Sequence, residues 1–100
     1  MARFDVHRMG RGRLVLDVQA DVLERIETRV VVPLAAPGDV GGEPFARLRP
    51  ILTVADEPYV LATTDLSVVT TARLGPVVEN VEARHRDEIT VALDFLFQGF

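Results

Sequence analysis

The chain changes its hydrophobic period once, and that change limits the fold more than any other feature. Up to about residue 80, apolar residues come in short runs of alternating or β-branched character, separated by Gly and Pro. From about residue 81 they recur at roughly 100° per residue, the period of a helix. Strands first and one helix last predict an α+β fold, mostly β: a small antiparallel barrel with a helix packed on it. The chain has 100 residues, which fits one domain spanning 1–100.

The strand expectations follow the runs. Residues 4–8 pair with residues 13–20 across the turn from Gly10 to Gly12. Residues 29–35 form a β-branched strand that contains Pro33, which donates no ladder hydrogen bond and so belongs at an edge or a bulge. Residues 35–44 read as a Gly- and Pro-rich loop. Residues 49–55 and 59–64 form a hairpin around Asp56, Glu57 and Pro58, and residues 67–74 form a last strand closed by Gly75 and Pro76. In the helix, Ile89, Ala92, Leu93 and Leu96 share one face, widened by Val91 and Phe95 on one flank and by Phe97 on the other. Asp87, Thr90, Asp94 and Gln98 form the opposite, polar stripe. The apolar arc exceeds what one core face requires. It predicts a homodimer with Val91, Phe95 and Phe97 at its interface.

Composition narrows the chemistry. With no Cys, disulfides, thiolate metal sites and a catalytic thiol are excluded, which fits a reducing cytosol. Neither a signal sequence nor a membrane span is legible, and a cytoplasmic location is expected. All eleven basic residues are Arg, and the net charge of −4 disfavours general nucleic-acid binding. Arg8, Arg11 and Arg13 still form a local basic cluster suited to an acidic protein segment. His7 and His85 are far apart and predict no metal site or other cofactor. Residues 63–65 (Thr-Thr-Asp) read as a turn rather than a nucleophile, and Asp17 and Gln19 as the solvated face of a strand. Arg73 beside Thr70 and Thr71 is the nearest thing to a catalytic group, and it is weak.

The stretches LDVQAD (16–21), VVPLA (31–35), LRPILTVADEPYVLATTDL (48–66) and ALDFLFQGF (92–100) together resemble the CcdB family, toxins of toxin–antitoxin modules, along essentially the whole chain. The resemblance implies an SH3-like barrel with extra strands and a C-terminal helix, shared with the MazF and Kid ribonuclease toxins. It implies a homodimer that binds the DNA gyrase A protein and is not itself an enzyme. A CcdA-like antitoxin would remove the toxin from gyrase, and the complex would repress its own operon, meeting DNA only through the antitoxin.

Carried over by position, the gyrase contacts are Val22, Leu23, Asp94, Gln98, Gly99 and Phe100. The antitoxin tail would pass Arg8, Arg11 and Arg13. The gyrase poison of the family ends in Trp-Gly-Ile, whereas this chain ends in Gln98-Gly99-Phe100, and Asp94 stands where the poison has Asn. That difference motivates an alternative: a CcdB-fold homologue without gyrase poisoning, acting with its antitoxin in operon regulation or as a decoy.

Overall fold

The alternating runs become strands because each has one side that must leave water. The computed structural model describes residues 2–23, 25–39 and 46–99, so Phe100 and residues 40–45, part of the expected Gly- and Pro-rich loop, lie outside the described residues. Its strands are β1 (Asp5–Met9), β2 (Arg13–Asp17), β3 (Thr28–Ala35), β4 (Ile51–Val54), β5 (Glu57–Leu61), β6 (Ser67–Thr70) and β7 (Leu74–Asn80), followed by helix α1 (Glu82–Gln98). They form one curled antiparallel sheet in the order β4-β5-β3-β2-β1-β7, with β6 also paired to β3. This half-barrel with one C-terminal helix is the α+β, mostly β architecture expected. No helix among the described residues is long and apolar enough to cross a membrane.

Two hairpins set the register. Gly10 and Gly12 adopt positive φ (59° and 84°) in the β1–β2 turn, which brings Met9 opposite Arg13. The β4–β5 turn is Ala55-Asp56, at φ 50° and 65°, with Val54 opposite Glu57. Positive φ at both central positions matches the right-handed twist of the flanking strands. The expected turn at Asp56, Glu57 and Pro58 is therefore displaced by one residue, and Pro58 lies inside β5. Left-handed backbone is costly at Ala. The Glu79 carboxylate accepts the Ala55 N–H at 2.8 Å and holds the turn against β7.

Two other expectations change. Pro33 occupies a central strand, not an edge or a bulge. β3 pairs with β6 through Val31 and with β5 from Leu34 onward, so Pro33 falls where one neighbour hands over to the other. Its missing N–H faces no strand there, while its carbonyl accepts the Ala62 N–H at 2.9 Å. The expected strand at 67–74 is instead two strands joined by a 3-10 turn at Thr71–Arg73, and β7 continues through Gly75 and Pro76. The β1–β7 pairing jumps from His7↔Val77 to Met9↔Leu74, so these two residues form a bulge opposite Arg8. Gly and Pro, read as the end of a strand, mark an irregularity within one.

Both faces are buried along most of β1 and β2. Toward α1, Phe4, Val6, Leu14, Leu16, Val32, Leu52, Ile89 and Ala92 belong to the apolar core. His85 pins the helix to β4. Its Nε2 accepts the Thr53 N–H at 3.0 Å, and its Nδ1 lies 2.9 Å from Glu88 Oε1. An Nε2 that accepts must be bare, so the proton sits on Nδ1 and is donated to Glu88.

A Cβ at Gly75 would lie 2.6 Å from the Arg8 carbonyl oxygen, and backbone on both sides leaves little room to yield. Gly75→Ala is expected to destabilise the fold by about 1–3 kcal/mol, the usual range for overpacking. Urea unfolding measures this, and an unchanged midpoint would show that the bulge can open freely.

Candidate functional site

The face of β1, β2 and β3 turned away from α1 carries a buried polar network. Alternation places His7 of β1, Val15 and Asp17 of β2, and Arg29 and Val31 of β3 on this face. Asp17 and Arg29 are both 0% exposed. The Arg29 Nε and Nη2 groups approach Asp17 Oδ2 at 2.8 and 2.7 Å, and the Gln19 N–H donates to Asp17 Oδ1 at 2.9 Å. Gln19 in turn accepts the Val30 N–H at 3.0 Å and donates to the Leu23 carbonyl at 3.2 Å. The expectation of a solvated face for Asp17 and Gln19 is thus overturned. Alternation groups Asp17 with Arg29 on one side correctly, but that side is buried by the surrounding chain rather than open to water. Burial pushes the Asp17 carboxyl up from its usual range near 3.8, while the Gln19 N–H and the Arg29 guanidinium oppose the rise.

Three buried atoms on or near this face have no partner: His7 Nε2, Arg29 Nη1 and Thr63 Oγ1. The other ring nitrogen of His7 meets the Gly75 carbonyl at 2.9 Å. Thr63 opens the 3-10 turn Thr63–Asp65, as the turn reading expected, though no side chain caps it. Among the described residues no group of three His, Cys, Asp or Glu is placed to hold a metal ion.

Toward the β1–β2 turn this face becomes basic. Met9 and Arg13 are register partners on the same face as His7 and Val15. With Gly10, Arg11 and Arg73 they line a cleft of about 470 Å³. A second groove, of about 400 Å³, continues from Met9 and Arg13 along Leu14, Val15, Pro33, Leu34 and Ala35. Arg8 is not part of this cleft. It pairs with Leu14, two-residue periodicity puts it on the helix side, and it is exposed there. The sequence cluster of Arg8, Arg11 and Arg13 is therefore divided by the strand, and Arg73 joins from a distant segment. Only the fold brings Arg73 there, although β1–β7 pairing would have identified it.

The helix carries the remaining expected residues. Asp94 and Gln98 are both exposed, one turn apart. Gly99 closes the helix in a left-handed cap (φ 81°), its N–H donating to the Phe95 carbonyl at 2.9 Å. Val91 and Phe97 are exposed, Phe97 at 70%, while Phe95 is half-buried with the Arg47 guanidinium 5.9 Å from its ring centre. Val22, at 87% exposure, and Leu23 occupy a separate 3-10 turn, Asp21–Leu23. Phe100 lies outside the described residues.

Comparison with known proteins adds two findings. A family model described as CcdB protein matches residues 3–99. Among solved structures, an endoribonuclease in complex with its cognate antitoxin from a mycobacterial species superposes with a TM-score of 0.78 at 18% identity, covering 97% of this chain and 94% of that one. The Mycobacterium tuberculosis toxin MazF-mt6 gives 0.77 at 16% identity, with 93% and 95% covered. A mycobacterial endoribonuclease gives 0.78 at 18%, with 97% and 90% covered. At such identities the likeness is one of fold, and the fold is that of MazF-type toxins. This corrects one expectation. The chain, read as a non-enzymatic inhibitor, has the architecture of endoribonucleases, and the exclusion of enzymatic activity is withdrawn.

The buried ion pair makes its own prediction. Arg29→Met leaves Asp17 with the desolvation that lifts its pKa and without the guanidinium that opposes it. The folded-state pKa then rises further above the unfolded value, so the carboxyl favours the folded state in acid and that benefit is lost as pH climbs through the folded value. The expected destabilisation at neutral pH is about 3–5 kcal/mol, the range for breaking a buried pair. It shrinks as pH falls toward the ordinary carboxylate range. Unfolding at both pH values checks this, and an equal loss at both would mean that Arg29 does not balance an ionised Asp17.

Proposed function

This chain belongs to the CcdB family, and from that membership and its MazF-type fold we propose that it is the toxin of a toxin–antitoxin system that acts by binding the DNA gyrase A protein. The observation that carries the finer reading is the end of α1. Asp94 and Gln98 present one exposed polar stripe that runs into the left-handed cap at Gly99. A glycine there offers a partner close access to backbone. Val22 and Leu23 supply an exposed apolar patch at the positions where the family resemblance puts the second contact segment. A homodimer built on Val91, Phe95 and Phe97 would present each contact twice, and two of these three side chains stand exposed on the described chain.

The antitoxin partner is CcdA-like in this reading. Its acidic tail would pair with Arg8, Arg11 and Arg13. Because Arg8 faces away from the other two, the tail would have to cross the β1–β2 hairpin rather than run along one side. Charge pairing of this kind mainly accelerates association. Arg11→Glu is expected to lower the association rate with a cognate antitoxin peptide, and an unchanged rate and affinity would remove the hairpin from that interface.

Gln98 motivates a second reading. An amide cannot stack on a partner guanidinium as an indole does, a contact worth about 0.5–2 kcal/mol. A protein that has lost gyrase poisoning would act with its antitoxin in operon regulation or as a decoy. Titration of a gyrase A fragment decides between the two. Binding is expected to be measurable for the wild type, stronger for Gln98→Trp and abolished by deletion of Gly99 and Phe100, with the fold retained. If neither the wild type nor Gln98→Trp binds, the second reading replaces the first. Light scattering of the same samples is expected to return twice the single-chain mass, and a single-chain mass would remove the dimer.

A further inference from the structure

We propose that Arg11, Arg13 and Arg73, beside the β1–β2 turn, form a phosphate-binding cleft that takes a short segment of single-stranded nucleic acid. The three guanidinium-bearing residues come from a hairpin loop, the first position of β2 and the turn before β7. They meet in one cleft of about 470 Å³. Among the described residues none of the three has a carboxylate partner, in a chain whose acids outnumber its bases by fifteen to eleven. Like charges left unneutralised in one depression repel each other, and an anion relieves that repulsion.

The shape of the charge favours phosphate over carboxylate. One guanidinium satisfies both oxygens of a carboxylate with a bidentate pair, so three arginines lining one cleft exceed what one acidic side chain can use. A phosphodiester offers several acceptor oxygens, and neighbouring phosphates follow along the strand. The adjoining groove then matters. It shares Met9 and Arg13 with the cleft and continues over Leu14, Pro33, Leu34 and Ala35, an apolar shelf next to the charge. A nucleotide has that same division into an anionic group and a flat apolar face. The overall charge of −4 works against long duplexes. Over distances beyond a Debye length of about 8 Å, however, the remote acids are screened from the cleft.

The inference stands apart from the gyrase reading and shares only Arg11 and Arg13 with the antitoxin proposal, so Arg73 separates them. The probes are fluorescein-labelled hexamers of uridine ribonucleotides and of thymidine deoxyribonucleotides, with a labelled hexaglutamate peptide beside them, read by fluorescence anisotropy. At least one oligonucleotide is expected to bind more tightly than the peptide, and preference for RNA or DNA identifies which strand is the natural source. The affinity should fall with salt at a log–log slope of about −2, the release expected when three phosphates of a single strand are neutralised. Arg73→Gln is expected to weaken binding about tenfold, with inorganic phosphate at millimolar concentration competing. Arg86→Gln, on the exposed face of α1, should leave it unchanged. If Arg73→Gln fails to fold, Arg11→Gln in the loop reads the same effect. Overturning results are no oligonucleotide binding, peptide binding of equal strength, or oligonucleotide binding unchanged in both cleft variants. Any of these with gyrase titration intact would remove the cleft alone.

Discussion

The ion pair between Asp17 and Arg29 is the constraint on which the inner face of this half-barrel rests. Neither group reaches water. Each would be very costly to bury alone, and each is tolerated because the other is within hydrogen-bond distance. The pair joins neighbouring strands on the face where an ordinary barrel would place aliphatic side chains. Gln19 extends the network by bonding to backbone on both β3 and the turn at Asp21–Leu23. The position of an exposed turn on the family's candidate partner surface is thereby tied to a buried charge.

The polarity of the inner face also organises the outer one. Strand alternation brings Val6, Leu14, Leu16 and Val32 together on the other side of β1, β2 and β3, and these form the seat of α1. The helix needs no broad, sharply segregated apolar face of its own, because Ile89 and Ala92 fill the seat and His85 and Glu88 lock its first half. Its far flank is free to carry Val91, Asp94, Phe97 and Gln98 outward. One strand register thus separates the chain into a buried polar interior, an apolar layer and an exposed helical surface.

Much of this is legible in the residues. The change of period near residue 81 locates α1 to within a residue of its start, and alternation locates β1, β2 and the β4–β5 hairpin. What fails is the reading of neighbourhood. Local pattern assigns Asp17 and Gln19 to solvent because one polar side of a strand ordinarily faces water, and nothing local announces that distant segments will bury that side. Pro33 and Gly75-Pro76 read as boundaries for the same reason. A local rule says where an N–H is missing, but only the partner strands say whether anything wanted it. For the candidate sites, the outward face shared by Asp94 and Gln98 follows from helical spacing and their role from the family resemblance, while Arg11 and Arg13 follow from proximity in sequence. Arg73 comes from a strand pairing across more than sixty residues.

β3 divides its partners, taking β6 along its first half and β5 along its second. A strand in this position is a branch point in the folding sequence. The β2–β3 and β4–β5 pairings join segments close in the chain and close small loops, so they form at low entropic cost. The β6 and β7 pairings close much larger loops and must await a β3 and a β1 already in place. The Asp17–Arg29 pair joins β2 to β3, two strands close in the chain, so loop-closure entropy favours its meeting ahead of the longer pairings that β6 and β7 require.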